Sequence, residues 1–196
     1  FVRELFDQYA HGFDAHLTGG LHYRTPALVG QLVDGLGLPP GPVVDLGCGT
    51  GLCAPLLRAH AQRLVGIDLS ARMLERARAR GLYDELVEGE ITAELGRRPQ
   101  AFGLAVAADV LVYFGALEAL FAAVHAALRA GGCFVFSVEA GEGADHVLRP
   151  TRRYAHSVAY LERLAAQQGF ACRRLEPAVL RHEARAEVAG LLAVLQ

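Results

Sequence analysis

From residue 43 onward, short apolar runs alternate with segments whose apolar side chains recur every three or four residues. This alternation is typical of parallel strands that are joined by helical crossovers. It predicts strands near residues 43–46, 63–68, 86–87, 101–108, 133–138, 170–180 and 187–195. Too few residues separate the last two strands for a helical crossover, so we expect them to pair antiparallel. The pattern therefore predicts an α/β fold with a mostly parallel sheet and an antiparallel C-terminal hairpin.

The first 42 residues carry a helical pattern instead. Apolar side chains recur at helical spacing over residues 2–10, and residues 27–36 follow Pro26, a residue type that is common at the first position of a helix. We interpret residues 1–42 as a helical lid and residues 43–196 as the core, within one domain of residues 1–196.

The composition fits one globular core and narrows the partners. Of 196 residues, 53% are hydrophobic and the net charge is −2, which gives no electrostatic reason to expect a nucleic-acid or membrane partner. No apolar run reaches the 18 residues of a membrane span. The four cysteines form no C-x-x-C pair, so we expect a reducing cytoplasm, with neither a disulfide nor a metal site: Cys48, Cys53, Cys133 and Cys172. Oligomeric state is left open.

A glycine-rich loop, Gly47-Cys48-Gly49-Thr50-Gly51, follows the first predicted strand. Glycines allow a sharp turn and a close approach of the backbone to a ligand, and the amides at the following helix start face a polar ligand group. Asp68 ends the next strand, where a carboxylate can accept both hydroxyls of a ribose. Two alternatives remain: an ordinary strand-to-helix turn, and a nicotinamide site, although Leu52 replaces the third glycine of that motif.

The loop and its surroundings resemble motifs I and II of class I S-adenosylmethionine-dependent methyltransferases. The resemblance rests on three stretches: Val43-Val44-Asp45-Leu46-Gly47-Cys48-Gly49-Thr50-Gly51, Val65-Gly66-Ile67-Asp68-Leu69-Ser70 and Met73-Leu74. It implies a Rossmann-like, seven-stranded sheet and S-adenosyl-L-methionine as cofactor, with S-adenosyl-L-homocysteine as product. It also implies that the loop passes under the methionine part, that Asp45 approaches its amino end, and that Asp68 binds the ribose.

Two later stretches extend the resemblance. Glu88-Gly89-Glu90-Ile91 stands where the family usually places an adenine-binding Asp, which makes Glu90 the candidate. Ala107-Ala108-Asp109-Val110-Leu111 resembles motif IV, which implies that Asp109 and Tyr113 face the reaction centre; a capping or solvated strand-end carboxylate is the alternative for Asp109. The cofactor-binding residues are predicted to be Tyr9, Tyr23, Asp45, Gly47, Cys48, Gly49, Thr50, Gly51, Asp68, Leu69, Met73, Glu90, Ile91 and Asp109.

His156 is the candidate proton acceptor, because histidine titrates near neutral pH and this one stands in a segment that commonly shapes acceptor pockets in the family. A structural histidine is the alternative. The predicted catalytic residues are thus Asp109, Tyr113 and His156. Leu21-His22-Tyr23-Arg24 and Arg153-Tyr154-Ala155-His156-Ser157 resemble a bacterial branch, the tetratricopeptide-repeat-associated methyltransferases.

The function that we predict is transfer of a methyl group to a small-molecule or carrier-bound acceptor. Three alternatives stay open: a non-catalytic domain that binds S-adenosylmethionine, a protein or RNA methyltransferase, and an NAD-dependent oxidoreductase, which Leu52 disfavours.

Overall fold

The structure is a computed structural model that describes residue 4, residues 23–183 and residues 186–196. Its helices are α1 (Thr25–Asp34), α2 (Ala54–Leu57), α3 (Ala71–Ala79), α4 (Ile91–Gly96), α5 (Glu118–Ala127) and α6 (Val158–Gln167). Its strands are β1 (Gly41–Leu46), β2 (Ala61–Asp68), β3 (Glu85–Glu88), β4 (Phe102–Ala107), β5 (Leu128–Ala140), β6 (His146–Leu148), β7 (Tyr154–His156), β8 (Cys172–Glu183) and β9 (Ala186–Leu195). In this described part, no helix combines the length and apolarity that crossing a bilayer requires.

The central sheet confirms the predicted fold class. Its first five strands are parallel in the order β3-β2-β1-β4-β5, which is the order of doubly wound Rossmann folds. On the far side of β5, β9 pairs antiparallel with β5, and β8 pairs antiparallel with β9. Two successive reversals make β8 run parallel to β5, so the end of β8 lies at the same edge as the carboxyl ends of β1 and β4.

A short hairpin adds two strands that the sequence pattern does not predict. β5 continues to Ala140, past the end of β4, and Glu139 and Ala140 pair there with β7, which β6 joins antiparallel. Strands of three residues carry too little periodicity to be recognised in sequence, which explains the omission. The hairpin brings the segment before α6 to the carboxyl edge of the sheet.

Two apolar layers cover the sheet, one on each face. Val44 and Leu46 belong to one layer, in which Phe121 makes edge contacts with Phe134 and Phe136, and Val43 belongs to the other. Successive residues of β1 thus face opposite layers, as strand geometry requires. The absence of polar alternation in the parallel strands reflects burial on both faces.

The described part of the predicted lid consists of residues 23–42. Helix α1 begins at Thr25, two residues before its predicted start, and its buried residues Val29 and Val33 pack in the same layer as Val43. Only the start of α1 reaches the carboxyl edge of the sheet. Of the predicted helix at residues 2–10, the structure describes Glu4, which is helical, and Tyr9 lies outside the described residues.

Near its end, β8 carries a β-bulge. Val179 pairs with Ala189 and Arg181 pairs with Val188, so Leu180 is an extra residue without a partner in β9. The Leu180 side chain is fully buried against Gly190. A residue larger than glycine at position 190 would displace it. Bulges of this kind redirect side chains at the rims of sheets.

Replacing Gly190 with alanine should therefore destabilise the fold. The new Cβ would lie 2.7 Å from the Val138 carbonyl oxygen and would also collide with Leu180. We expect a loss of about 1–3 kcal/mol in the free energy of unfolding, the range for overpacked sites, measured by urea denaturation. Gly96→Ala is the control, because a Cβ at Gly96 meets no atom within 4 Å. Equal stability of the two variants would contradict the steric argument.

Candidate active site

A crevice opens at the carboxyl edge of the sheet, where β1 and β4 are neighbours and the chain leaves them in opposite directions. This switch point is where open α/β sheets bind ligands. The predicted residues that line the crevice are Tyr23, Asp45, Gly47, Cys48, Gly49, Thr50, Asp68, Met73, Asp109 and Tyr113. An adjoining, mostly apolar recess is lined by Leu69, Glu90, Ile91, Val110 and Phe114, together with Gly47, Asp68 and Tyr113. The structure thus brings most of the predicted site together.

The glycine loop turns through backbone conformations that favour glycine. Gly47, Gly49 and Gly51 have φ values of +64°, +54° and +84°. At Gly47 a Cβ would also lie 2.8 Å from the Cβ of Val110, in the loop after β4. The glycine loop therefore packs against the segment after β4, and Gly47 and Gly49 line the crevice with their backbones.

Asp68 fixes the loop to the end of β2. Its Oδ2 accepts a hydrogen bond from the Gly49 amide at 2.8 Å, and its Oδ1 accepts one from the Ser70 amide at 2.9 Å. Asp68 therefore has a structural role, because it caps the end of β2 and holds the glycine loop. This role does not prevent ligand binding, since each carboxylate oxygen accepts more than one hydrogen bond.

Two residues that the sequence reasoning missed support the loop from behind. Arg80 Nε donates to the Thr50 carbonyl oxygen at 2.6 Å, and the Tyr83 hydroxyl donates to Asp45 Oδ2 at 2.7 Å. The same two side chains face Gly51, which points away from the crevice. Both stand around the end of α3, more than 28 residues after the loop, and no local pattern signals the contact.

Asp45 is a buried acid beside the loop. Its pKa is raised to about 7: burial raises it most, the hydrogen bond from Tyr83 lowers it, and the charge of Asp68 adds to the rise. Within the described ranges, no basic side chain forms an ion pair with Asp45. A buried carboxylate in a crevice favours a cationic ligand group, because that group supplies the missing counter-charge.

Asp109 lies at the inner end of the crevice in a left-handed conformation, with φ +56°. Its amide donates to Ser137 Oγ at 2.8 Å, and its carboxylate pairs with Arg181 at 3.0 Å. Burial raises the pKa of Asp109 to about 6, and Arg181 and Arg153 oppose that rise. Asp109 is therefore paired, and the solvated strand-end alternative does not hold.

Arg181 belongs to a charge cluster that the sequence reasoning also missed. It contacts Glu139 and Glu183 as well as Asp109, Arg153 contacts Glu183, and Arg149 contacts Glu139. The three arginines and three acids carry equal and opposite formal charge. They come from the loop after β4, from β5, from β8 and from the β6–β7 hairpin, so only the folded sheet brings them together.

Two predicted residues are placed differently from the expectation. The Glu90 carboxylate caps α4, accepting from the amides of Thr92 and Ala93 at 3.0 and 2.8 Å. His156 is buried in β7 and does not line the crevice, and its Nε2 lies 3.0 Å from the Gly115 carbonyl oxygen. Burial lowers the pKa of His156. The alternative of a structural histidine describes this environment.

The comparison with known families agrees with this geometry. Residues 43–132, from Val43 in β1 to Gly132 in β5, match the family model of a methyltransferase domain. These residues are therefore similar to a methyltransferase domain. The match spans just under half of the chain and includes the loop, Asp68 and Asp109.

Individual relatives are methyltransferases as well. The trans-aconitate 2-methyltransferase of Paracidovorax citrulli is 36% identical over 60% of this chain and 44% of its own length. An S-adenosylmethionine-dependent methyltransferase from Mesorhizobium loti has a TM-score of 0.63 at 25% identity, over 84% of this chain and 95% of its own. The chain covers between 18% and 44% of the length of four curated relatives that it matches.

The fold extends beyond the matched domain. The 1,6-didemethyltoxoflavin-N1-methyltransferase of Burkholderia thailandensis, solved with 1,6-didemethyltoxoflavin and S-adenosylhomocysteine, has a TM-score of 0.77 at 20% identity. The alignment covers 99% of this chain and 86% of that one. Such a likeness shows that the C-terminal hairpin belongs to the same fold.

Asp45→Asn should stabilise the ligand-free methyltransferase domain at neutral pH. The folded-state pKa of about 7 lies above the unfolded value, so the carboxylate destabilises the fold increasingly as pH rises from about 4 and fully above about 7. The variant should therefore equal the wild type near pH 4 and exceed it by up to about 4 kcal/mol at pH 8. Chemical denaturation at several pH values measures the difference.

Asp84→Asn is a control of opposite sign. Hydrogen bonds from the Leu64 amide and Arg58 lower the pKa of Asp84, so its carboxylate stabilises the fold above the unfolded pKa and this gain is lost as pH falls. The control should lower stability at pH 8. A pH-independent effect of Asp45→Asn would show that its charge is not the cause.

Proposed function

We propose that this chain is an S-adenosylmethionine-dependent methyltransferase that acts on a small-molecule or carrier-bound acceptor. The observation that carries the proposal is the left-handed glycine loop between two carboxylates, Asp45 and Asp68, at the switch point of the sheet. The methyltransferase match of residues 43–132 and the names of the relatives support the same chemistry.

The lining of the crevice suits each part of this cofactor. Asp45 would pair with the ammonium group, which supplies the counter-charge that the buried acid lacks. Asp68 would accept the ribose hydroxyls, and the recess formed by Leu69, Ile91 and Phe114 would enclose the adenine ring. Glu90 lines the same recess, and its carboxylate, like that of Asp68, accepts one backbone amide on each oxygen and can accept more, so it would also receive the adenine amino group.

The inner end of the crevice would hold the acceptor. The bound cofactor supplies a sulfonium methyl group that is already activated, so the protein must chiefly align the acceptor and exclude water. Asp109 would take the proton that the acceptor atom loses, since a carboxyl with a pKa of about 6 is mostly ionised at neutral pH. Tyr113, which lines both the crevice and the recess, would contact the acceptor. Tyr23 would cover this end from the start of α1.

The finer assignments rest on sequence alone. The net charge of −2 supports an acceptor other than a nucleic acid, and the cysteine pattern supports a cytoplasmic location. Leu21-His22-Tyr23-Arg24 and the segment that ends in His156 support the branch of tetratricopeptide-repeat-associated methyltransferases. A non-catalytic binding domain is less well supported, because Asp109 and Tyr113 line the crevice.

Calorimetry with three ligands tests the cofactor. We expect S-adenosylmethionine and S-adenosylhomocysteine to bind and NAD not to bind, because Leu52 occupies the position of the third glycine in dinucleotide loops. Binding of NAD without any response to S-adenosylhomocysteine would overturn the proposed function.

Asp68→Ala should weaken S-adenosylhomocysteine binding by roughly 1.5–3 kcal/mol, about 10- to 150-fold in Kd, because a charged hydrogen-bond partner is lost. Asp84→Ala is the matched control: the Asp84 carboxylate also accepts from a backbone amide, that of Leu64, but Asp84 lines neither the crevice nor the recess. The control should bind with wild-type affinity. If both variants bind equally well, Asp68 serves only to hold the loop.

A further inference from the structure

Arg181 is the largest of the fully buried side chains among the described residues, with 1% of its surface exposed. It lies at the inner end of the crevice and comes from β8, outside the matched domain. We propose that Arg181 is the positioning residue for Asp109: it holds the Asp109 carboxylate toward the site where an acceptor would bind. The inference rests on the proposed function, which gives Asp109 its part in the reaction.

The contacts of Arg181 fix its guanidinium in one orientation. Nη1 donates to both oxygens of Asp109, at 3.0 and 3.3 Å, Nη2 donates to Glu139, and Nε donates to Glu183 at 3.0 Å. A planar fork whose three nitrogens bind three different acids has little freedom to turn. The bulge at Leu180 sets where β8 delivers this side chain.

Asp109 needs such a partner because its backbone is strained. A left-handed conformation is uncommon for a residue other than glycine and persists only where the surroundings impose it. Two anchors do so here: the Ser137 hydroxyl on β5 accepts from the Asp109 amide, and Arg181 on β8 holds the carboxylate. The second anchor also determines where the carboxylate points.

The net stability of the cluster does not explain why it is buried. Burying paired charges is often no better for stability than packing apolar side chains of similar volume. Burial alone would lower the pKa of Arg181, but the surrounding carboxylates raise it, so the side chain stays charged. A permanently charged, fixed donor next to Asp109 is better explained by its effect on that carboxylate.

Several groups act on Asp109 and must be separated in any test. Arg181 and Arg153 lower its pKa, whereas Glu139 and Glu183 raise it. Tyr113, Tyr23 and Cys53 also lie near enough for the Asp109 charge to raise their pKa values. Among the residues described, Arg181 is the only one that forms ion pairs with both Asp109 and Glu139.

The test measures the titration of Asp109 directly and needs no acceptor. Carbon-13 NMR of the aspartate carboxyl groups, with Asp109→Asn to assign the signal, gives its pKa in each variant. In Arg181→Met we expect that pKa to rise by about one unit or more, since a cation in contact lowers a carboxyl pKa by roughly 1–3 units. Arg181→Lys, which keeps the charge, should stay nearer to the wild type.

Arg149→Met is the matched control. Arg149 belongs to the same cluster and contacts Glu139 at 3.4 Å, whereas the ion pair of Asp109 in the described part of the chain is with Arg181. The control should leave the Asp109 pKa close to the wild-type value. Equal pKa values for Asp109 in Arg181→Met and Arg149→Met would overturn the proposal.

Two additions keep the test decisive. If Arg181→Met alone does not fold, Arg181→Met with Glu139→Gln removes the unpaired acid, and its Asp109 pKa is compared with that of Glu139→Gln alone. S-adenosylhomocysteine binding is measured on the same proteins and should change by less than about twofold, because Asp45 and Asp68 are untouched. If the wild-type protein does not bind S-adenosylhomocysteine, the proposed function is rejected. The titration of Asp109 still decides the role of Arg181 in that case.

Discussion

The hydrogen bonds that Asp68 accepts from the amides of Gly49 and Ser70 are the constraint on which the crevice depends. They join the loop after β1 to the turn after β2. One carboxylate therefore fixes the starts of two neighbouring strand-to-helix connections. The positive φ values of the glycines allow the loop to reach that carboxylate without side chains in the way. Arg80 and Tyr83 then hold the loop from the other side. The crevice wall is consequently shaped before any ligand is present.

The ligand-free site carries an electrostatic cost. Asp45 and Asp109 are both buried acids with raised pKa values, and the structure treats them differently. Asp109 has a fixed cation beside it, whereas the partner of the Asp45 carboxylate in the described part of the chain is the Tyr83 hydroxyl. The first arrangement gives a carboxylate with a set orientation, and the second leaves a charge for a ligand to complete. Stability and binding therefore place opposite demands on Asp45.

The parts of the molecule that were predictable from sequence are those with short-range causes. The parallel sheet follows from apolar runs, Ser70 caps α3 as its position suggests, and the glycine loop lies where its spacing places it. The omissions all involve residues distant in sequence: the β6–β7 hairpin, Tyr83 behind the loop, and Arg181. His156 shows the same limit. It stands three residues after Arg153, which lines the crevice, but its own ring is buried beside the Gly115 carbonyl group and does not reach the crevice.

The bulge in β8 also joins two parts of the chain that share no sequence motif. Because Leu180 has no partner in β9, its carbonyl oxygen accepts the Arg24 amide at 3.0 Å and the Thr25 hydroxyl at 3.4 Å, next to the residue that holds Asp109. The inserted residue Leu180 thus binds the start of α1 through its carbonyl oxygen and sets the position of Arg181, the next residue in β8. The two segments are therefore coupled mechanically: a shift of β8 along its neighbouring strand would move the start of α1 and the side chain of Arg181 together.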